Sequence, residues 1–487
     1  MANNIENLQP HSVWAHFATI CSIPHASHQE AALRERIIEW AGVRSIAYSV
    51  DAAGNLILKK PASAGCESRP GVILQGHLDM VCQANAGTQH DFVHDSIKTV
   101  IRDGWLVAEH TTLGADNGIG VALALAALEE PGLIHPPLEV LLTVNEESGM
   151  DGARGLAPGS LQGRALINLD TEEWGHFYLG CAGGVDVEVR HDCTQGALPP
   201  DFALLRFEVS GLRGGHSGID IHLGRGNAIK LLAEALRDLS AHTDVRLIEM
   251  KGGTARNAIP REAFAVCAMP AAAASNIGEW VRHRHESWQQ RLAQADTNVS
   301  FACNQCGEPQ GRTIVRADQE RLLAFLDVAT NGVTLVSDEF TGVTDTSSNL
   351  GVVELDQGKF RATFKVRSLH DTRAEAMADK LVAHALSYEL QAWKDGAYPG
   401  WTPNPSSNLL ALCQRVYAAQ YGQPASLQVI HAGLECGLLA ASHPHLDMIS
   451  FGPDIRGAHA PGERVEIESV GRCWELLKAV LRELATG

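Results

Sequence analysis

Seven side chains able to bind a metal or move a proton follow apolar runs or sit in glycine turns. His77 and Asp79 end "VILQGHLD", Glu146 and Glu147 end "LEVLLTVNEE", and Asp170 follows "ALINL". Asp116 lies in "TTLGADNGIG", and His459 lies in "GAHAPGE", just beyond "MISFG". Imidazole and carboxylate without thiolate suit Zn²⁺, with Mn²⁺ and Co²⁺ as alternatives, and fit poorly with a thiolate-rich structural zinc site. Carboxylates gathered in one cleft repel one another unless cations hold them. His77, Asp116, Glu147, Asp170 and His459 are enough donors for two divalent ions if one carboxylate bridges. Asp79, two residues from His77 on the same side of its strand, is placed to accept the second ring N–H and fix the tautomer. Glu146 neighbours a ligand but projects differently, which leaves it as general base on an activated water.

Other chemistries fit less well. Adjacent residues of a strand point to opposite faces, so Glu146 and Glu147 are not expected to flank one glycosidic bond. "LGADNGIG" lacks the GxxxxGK[ST] spacing of a phosphate loop, and its Asp opposes an anion. Cys303-Asn304-Gln305-Cys306 is a lone CxxC and reads as a surface loop rather than a zinc knuckle.

The seven residues meet only if strands carry them to one edge. "DAAGNLILKK", "GVILQGHLD", "LEVLLTVNEE" and "ALINLDTEE" read as strands, alternating with helices at "SHQEAALRERIIEWA" and "NGIGVALALAALEE". Ser27 with Glu30 is placed as a capping box for the first of these helices. Near-continuous apolar strands between helices predict an α/β fold with a mostly parallel central sheet, whose carboxyl ends form the cleft. After "HDCTQGALPPDF" the texture changes: Leu205, Phe207 and Val209 alternate with polar residues, and Ile229, Leu232, Leu236 and Leu239 follow at helical spacing. "KFRATFKV" and "AEAMADKLVAHAL" repeat the strand–helix pair, and α/β texture returns after "DGAYPGWTPNPSS". We therefore expect a catalytic domain of residues 1–205 and 396–487 with an inserted α+β domain of residues 206–395.

A chain of 487 residues exceeds one ordinary core, in keeping with two domains. Lys and Arg number 39 against 57 Asp and Glu, a net charge of −18, which argues against nucleic acid and anionic membrane as partners. "MANNIENLQPHSVW" has neither the basic start nor the apolar core of a secretory signal, and no apolar run reaches the roughly 18 residues of a membrane helix. The 11 cysteines, odd in number and scattered, suit reduced thiols. A cytoplasmic location is expected.

Taken in order, "GHLDMV", "GADNGIG", "NEESGMDG", "NLDTEE" and "GAHAPGE" resemble the metal and base motifs of the co-catalytic zinc peptidases, a family that includes aminoacylase, carboxypeptidase G and several bacterial dipeptidases. The resemblance covers essentially the whole chain. It is closer still to the family's aminoacyl-histidine dipeptidase branch, through "CSIPHASHQE", "CAGGVD", "GGTARNAIPREAFA", "GAYPGW" and "IHAGLECGL". It implies that His77, Asp116, Glu147, Asp170 and His459 hold two divalent metal ions with Asp116 bridging, that Asp79 orients, and that Glu146 is the base. The inserted domain would be a lid through which the chain forms a homodimer. His216 in "RGGHSG" matches a lid histidine that steadies the tetrahedral oxyanion, often across the dimer. Asn257 in "ARNAIP" and Arg367 in "VRSLHD" would bind substrate, Arg367 through the peptide carboxylate. Two departures stand out. "AHAPGERV" replaces the Ser usual after the ligand His and the acid usual after the Pro; "IHAGLECGL" carries Glu435 where distant members place Thr-Asp, which suggests a substrate contact.

The expected activity is metal-dependent hydrolysis of unblocked dipeptides, including Xaa-His dipeptides such as β-alanyl-histidine. The same scaffold also deacylates N-acyl amino acids or trims longer chains, and a descendant can bind metal or peptide without turnover. A dipeptidase should reject blocked amines and long peptides. Retention of Glu146 beside a full ligand set speaks against the non-catalytic reading.

Overall fold

The computed structural model describes residues 5–307 and 312–487. It divides into two compact units: Met1–Gly180 with Trp401–Val429 and Leu434–Gly487, and Cys181–Gly400 with Ile430–Gly433.

The first unit is built on an eight-stranded sheet. At its centre Leu138–Thr143, Val72–His77, Ala165–Asn168 and Asp447–Ser450 run parallel in that order. Leu56–Lys60 and Ala47–Val50 add antiparallel on one flank, and His176–Cys181 adds antiparallel on the other. Every residue of "VILQGH" and "LEVLLT" is buried, as strands covered on both faces require. The Ala115–Glu129 helix is buried on all sides from Asn117 to Leu128, and its small alanines and glycines let it lie close to the Val72–His77 strand. The closing Ile467–Thr486 helix is amphipathic and turns Val470, Trp474, Leu477 and Leu481 inward.

The second unit is an antiparallel sheet. The Ala228–His242, Arg316–Val328 and Asp371–Ser387 helices pack Leu232, Leu236, Phe325 and Leu381 against strand residues Phe207, Phe364 and Val366 in one core. Its limits differ from those expected. It begins at Cys181 rather than 206 and runs to Gly400 rather than 395, because Gly183–Asp192 lies between Lys359–Ser368 and Gln391–Tyr398 and pairs with both. "GGVDVEVR" reads locally like any apolar strand; its partners stand far along the chain.

Two local expectations are also corrected. Glu30, not Ser27, precedes the Ala31–Val43 helix, and no side chain caps it. Ser27 Oγ donates to Asp79 instead, while Glu30 Oε1 accepts from the amides of His28 and Asn145. Cys303 lies not in a loop but in Ser300–Gln305, a strand that pairs with Phe202–Ser210. Cys303 and Cys306 are free thiols and join no metal-donor group among the described residues.

Candidate active site

Parallel strands that end together bring their following residues together, and here those residues are the acids and imidazoles. His77 closes its strand and is 1% exposed. Its Nδ1 lies 3.0 Å from the backbone oxygen of Asp79 and 3.4 Å from that residue's carboxylate. The backbone oxygen, rather than the expected carboxylate, is therefore the nearer partner; Nδ1–H donates to it and Nε2 is turned into the site. The Asp79 carboxylate works mainly elsewhere. It accepts from Ser27 Oγ at 2.7 Å and from the amides of Glu146 and Glu147 at 2.9 and 3.1 Å.

Those two amides open a helical turn, Glu146–Gly149, entered through Asn145 in the left-handed region at φ 55°. Glu146 and Glu147 thus stand on a turn and not on a strand, and they do not diverge as strand neighbours would. A donor atom of each lies within 4.8 Å of the other and of His77. Asn117 braces the other side. Its Oδ1 accepts from the His77 amide at 3.3 Å and its Nδ2 donates to the Leu169 oxygen at 2.7 Å. A side chain at Gly76 or Gly120 would collide with the Asn117 amide, which accounts for glycine at both positions.

The donors converge in two sets that share Asp116. His77 Nε2 is 3.1 Å from Asp116 Oδ1 and 3.2 Å from Asp170 Oδ1; His459 Nε2 is 3.1 Å from Asp116 Oδ2 and 3.0 Å from Glu147 Oε1. Buried Glu147 Oε1 and Asp170 Oδ1 have no well-formed hydrogen bond, although the ring nitrogens lie that close. Separations near 3.1 Å approach the edge of a tetrahedron of metal–ligand bonds about 2.0–2.1 Å long. The residues present therefore fit two divalent cations with Asp116 between them.

Electrostatics point the same way. The carboxylates of Asp116 and Glu147, each close to the ring nitrogen, push His459 up to about 11. Burial opposes the same effect at His77, but Asp170, Asp116 and Asp79 lift it well above the imidazole range. Burial pushes Asp170 up to about 7, with Asp116 and Glu147 adding to it, and burial likewise raises Glu147. Glu146 stands well above the usual carboxylate range, chiefly through burial and then through Asp170, Glu147 and Glu435, with His77 opposing. Burial also opposes ionisation of Asp79, but the His77 ring 3.4 Å away, with the Ser27 hydroxyl and the Glu146 amide, brings it down to about 2. The cleft holds more negative charge than its imidazoles neutralise, the condition that bound cations relieve.

Glu435 is placed differently from the expectation. It is 0% exposed, and its Oε2 accepts from Gln75 Nε2 and Thr143 Oγ1, both at 2.6 Å. Gln75 in turn accepts from Asn168 Nδ2 at 2.5 Å. Glu435 thus anchors a polar ladder across the ends of the ligand-bearing strands, and burial removes it from substrate contact in this conformation. A polar residue within an apolar run, Gln75 inside its strand and Asn168 at the end of its own, is the sequence signal for that ladder.

Three of the expected substrate residues belong to the second unit. His216 pairs with Ala258 in a short antiparallel pair, Gly215–His216 with Ala258–Ile259, and exposed Asn257 immediately precedes its second strand. His216 Nδ1 accepts from the amides of Gly218 and Ile219 at 3.2 and 3.1 Å, so the ring proton is on Nε2. Arg367, 4% exposed, donates to Tyr398 Oη at 2.6 Å, and its Nη2 lies 3.4 Å from His216 Nε2. Two donors converging in this way suit an anionic oxygen. Arg361 is half-exposed on the same strand, but Lys365 is buried with Asp186 at 2.9 Å, so the polar face is solvated only over its first half. A further donor group, His191, Cys193 and Asp318, has its acid bonded to Arg321 and the Thr194 amide.

The model of peptidase family M20/M25/M40 matches residues 73–483. The chain belongs to this family. Among curated relatives, the cytosol non-specific dipeptidase of Escherichia coli is 42% identical over 482 residues, 99% of each chain. The crystal structure of aminoacylhistidine dipeptidase from Vibrio alginolyticus matches with a TM-score of 0.87 at 42% identity, covering 98% of each chain. The aminopeptidase PepT of Bacillus cereus, at 16% identity and a TM-score of 0.57, shares the M20 fold over 98% of this chain and 100% of its own.

Proposed function

We infer that this M20 peptidase hydrolyses unblocked dipeptides, Xaa-His dipeptides among them, with two divalent metal ions held by His77, Asp116, Glu147, Asp170 and His459. The observation that carries the reading is the pair of donor sets sharing Asp116, each with a ring nitrogen about 3.1 Å from its carboxylates. Bound there, the ions would polarise the peptide carbonyl, acidify the attacking water and offset the repulsion among the carboxylates. Glu146 Oε takes the proton from that water and returns it to the leaving amine. Asp79 holds the Glu146–Glu147 turn still while this happens. The converging His216 and Arg367 donors are assigned to the oxyanion and the peptide carboxylate, and exposed Asn257 to a further substrate contact.

Zn²⁺ is the first choice of ion, with Mn²⁺ and Co²⁺ as alternatives, because the donors are imidazole and carboxylate. Homodimerisation through the second unit is supported by exposed Val333, Leu335 and Val336 on Gly332–Val336, a strand paired on one side only among the described residues. A cytoplasmic location is proposed from the name of the E. coli relative, and no helix of the described residues is long and apolar enough to cross a membrane.

The test is cleavage of β-alanyl-histidine and leucyl-glycine by chelated protein, then after return of Zn²⁺, Mn²⁺ or Co²⁺. Metal-restored cleavage of either dipeptide is expected, with N-acetylated analogues left intact. No cleavage with any metal, or preference for the blocked analogues, would overturn the reading.

A further inference from the structure

Glu463 is 2% exposed, and both its carboxylate oxygens serve backbone donors. Oε2 accepts from the amides of Leu113 at 2.8 Å and Gly114 at 3.1 Å; Oε1 accepts from those of Ala115 at 2.8 Å and Asp116 at 3.2 Å. Four successive amides turn to one side because Gly114 is left-handed at φ 70°, and a side chain there would press on Met80 sulfur at 2.9 Å. Such a nest of successive N–H groups, placed before the break at Asp116 and Asn117, suits a carboxylate acceptor; burial raises the Glu463 carboxyl and the Leu113, Gly114 and Asp116 amides oppose that rise.

Glu463 is itself pinned within the segment that carries His459. Its amide donates to the Ala460 oxygen at 3.1 Å, and its own oxygen accepts from the Ala108 amide at 3.2 Å. The loop it grips ends in Asp116, whose two oxygens face His77 and His459. One carboxylate therefore joins the segment bearing one ligand to the loop bearing the residue shared by both donor sets. With its in-plane lone pairs taken by four amides, Glu463 is neither a ligand nor a base.

We propose that Glu463 is a positioning residue of the metal centre, which sets the place of Asp116 relative to His459 by holding the Leu113–Asp116 amides and thereby governs the affinity for both ions. The proposal rests on the two-ion reading of the site. Glu463→Gln is the discriminating change: it keeps the shape but turns an amide NH₂ toward two N–H donors. Glu463→Asp keeps the charge but is one methylene shorter.

The experiment uses the full chain and three readouts: Zn²⁺ affinity by chelator competition, the visible absorption of the Co²⁺ form, and the urea midpoint of the metal-free protein. E463Q should lose about 10- to 100-fold in affinity for both ions and shift the Co²⁺ bands, with E463D between it and the parent. A folded E463Q with parental affinity and an unchanged Co²⁺ spectrum overturns the proposal, whatever its urea midpoint. Failure of both variants to fold also overturns it, since Glu463 would then serve the fold and not the centre. An unaltered protein that binds two ions yet cleaves no dipeptide would refute the proposed activity and leave this role standing; one that binds no ions would sink both.

Discussion

Asp79→Asn tests how the turn carrying the base and a ligand is held. In the parent, the carboxylate accepts from Ser27 at 2.7 Å, Glu146 at 2.9 Å and Glu147 at 3.1 Å, and it lies 3.4 Å from the His77 ring. Asparagine keeps one oxygen and replaces the other with a donor. If its oxygen serves the Glu146 amide, its NH₂ faces the Glu147 amide; the Ser27 hydroxyl can rotate to accept, but a backbone N–H cannot. One buried N–H without an acceptor costs about 1–3 kcal/mol, and loss of charge assistance on the remaining bonds adds about 1 kcal/mol. A displacement of the turn worth about 2–4 kcal/mol lowers kcat/KM by about 30- to 1000-fold. Ser27→Ala removes a single bond and should lower it by less than about tenfold. The assay is steady-state cleavage of leucyl-glycine at saturating metal, with metal content and urea unfolding measured on the same samples. A folded D79N within about threefold of the parent in kcat/KM would refute the account of Asp79 as the anchor of this turn.

Glu146→Gln should retain both metals and lose about 100- to 10,000-fold in kcat, because an amide cannot take the proton; kcat within tenfold of the parent would remove Glu146 from the role of base. Glu147→Gln should lower metal content, since Oε1 is one of the orphaned buried acceptors, and two ions per chain after dialysis would count against its ligand role. In the second unit, burial and then the charge of Arg367 push His431 down to about 3 from 6.5, so the folded protein keeps it neutral. The unfolded chain binds the extra proton, and stability falls as pH drops from about 6.5 toward 3, by at most about 5 kcal/mol. His431→Asn should flatten urea stability against pH over that window; identical slopes for the two proteins would refute it.

Much of the candidate site is legible in the sequence. Donor type belongs to the residue, and an apolar run that stops at His or Asp marks a strand end whatever it pairs with. His77, Glu147 and Asp170 follow such runs, His459 lies just beyond one and Asp116 sits in a glycine turn, and the structure brings all five together. The Glu146–Glu147 geometry was misread because strand alternation was carried past the strand; one left-handed residue, Asn145, converts the next step into a helical turn. Ser27 was misread for a related reason. A serine three residues before a glutamate satisfies a capping pattern locally, but its hydroxyl found a carboxylate 52 residues away.

The sequence alone determined the donor chemistry, the acidic excess, the alternation of strands and helices, and the presence of a second, antiparallel region, because each follows from residue type and short-range period. Tertiary structure decided what depends on partners distant in the chain. It drew the unit boundary at Cys181, since Gly183–Asp192 pairs with strands near 360 and 395. It buried Arg367 and Glu435 and gave Glu463 its four amides. A hydrogen bond between residues hundreds of positions apart leaves no periodic trace in sequence; it exists only once the sheet has set the strand ends side by side.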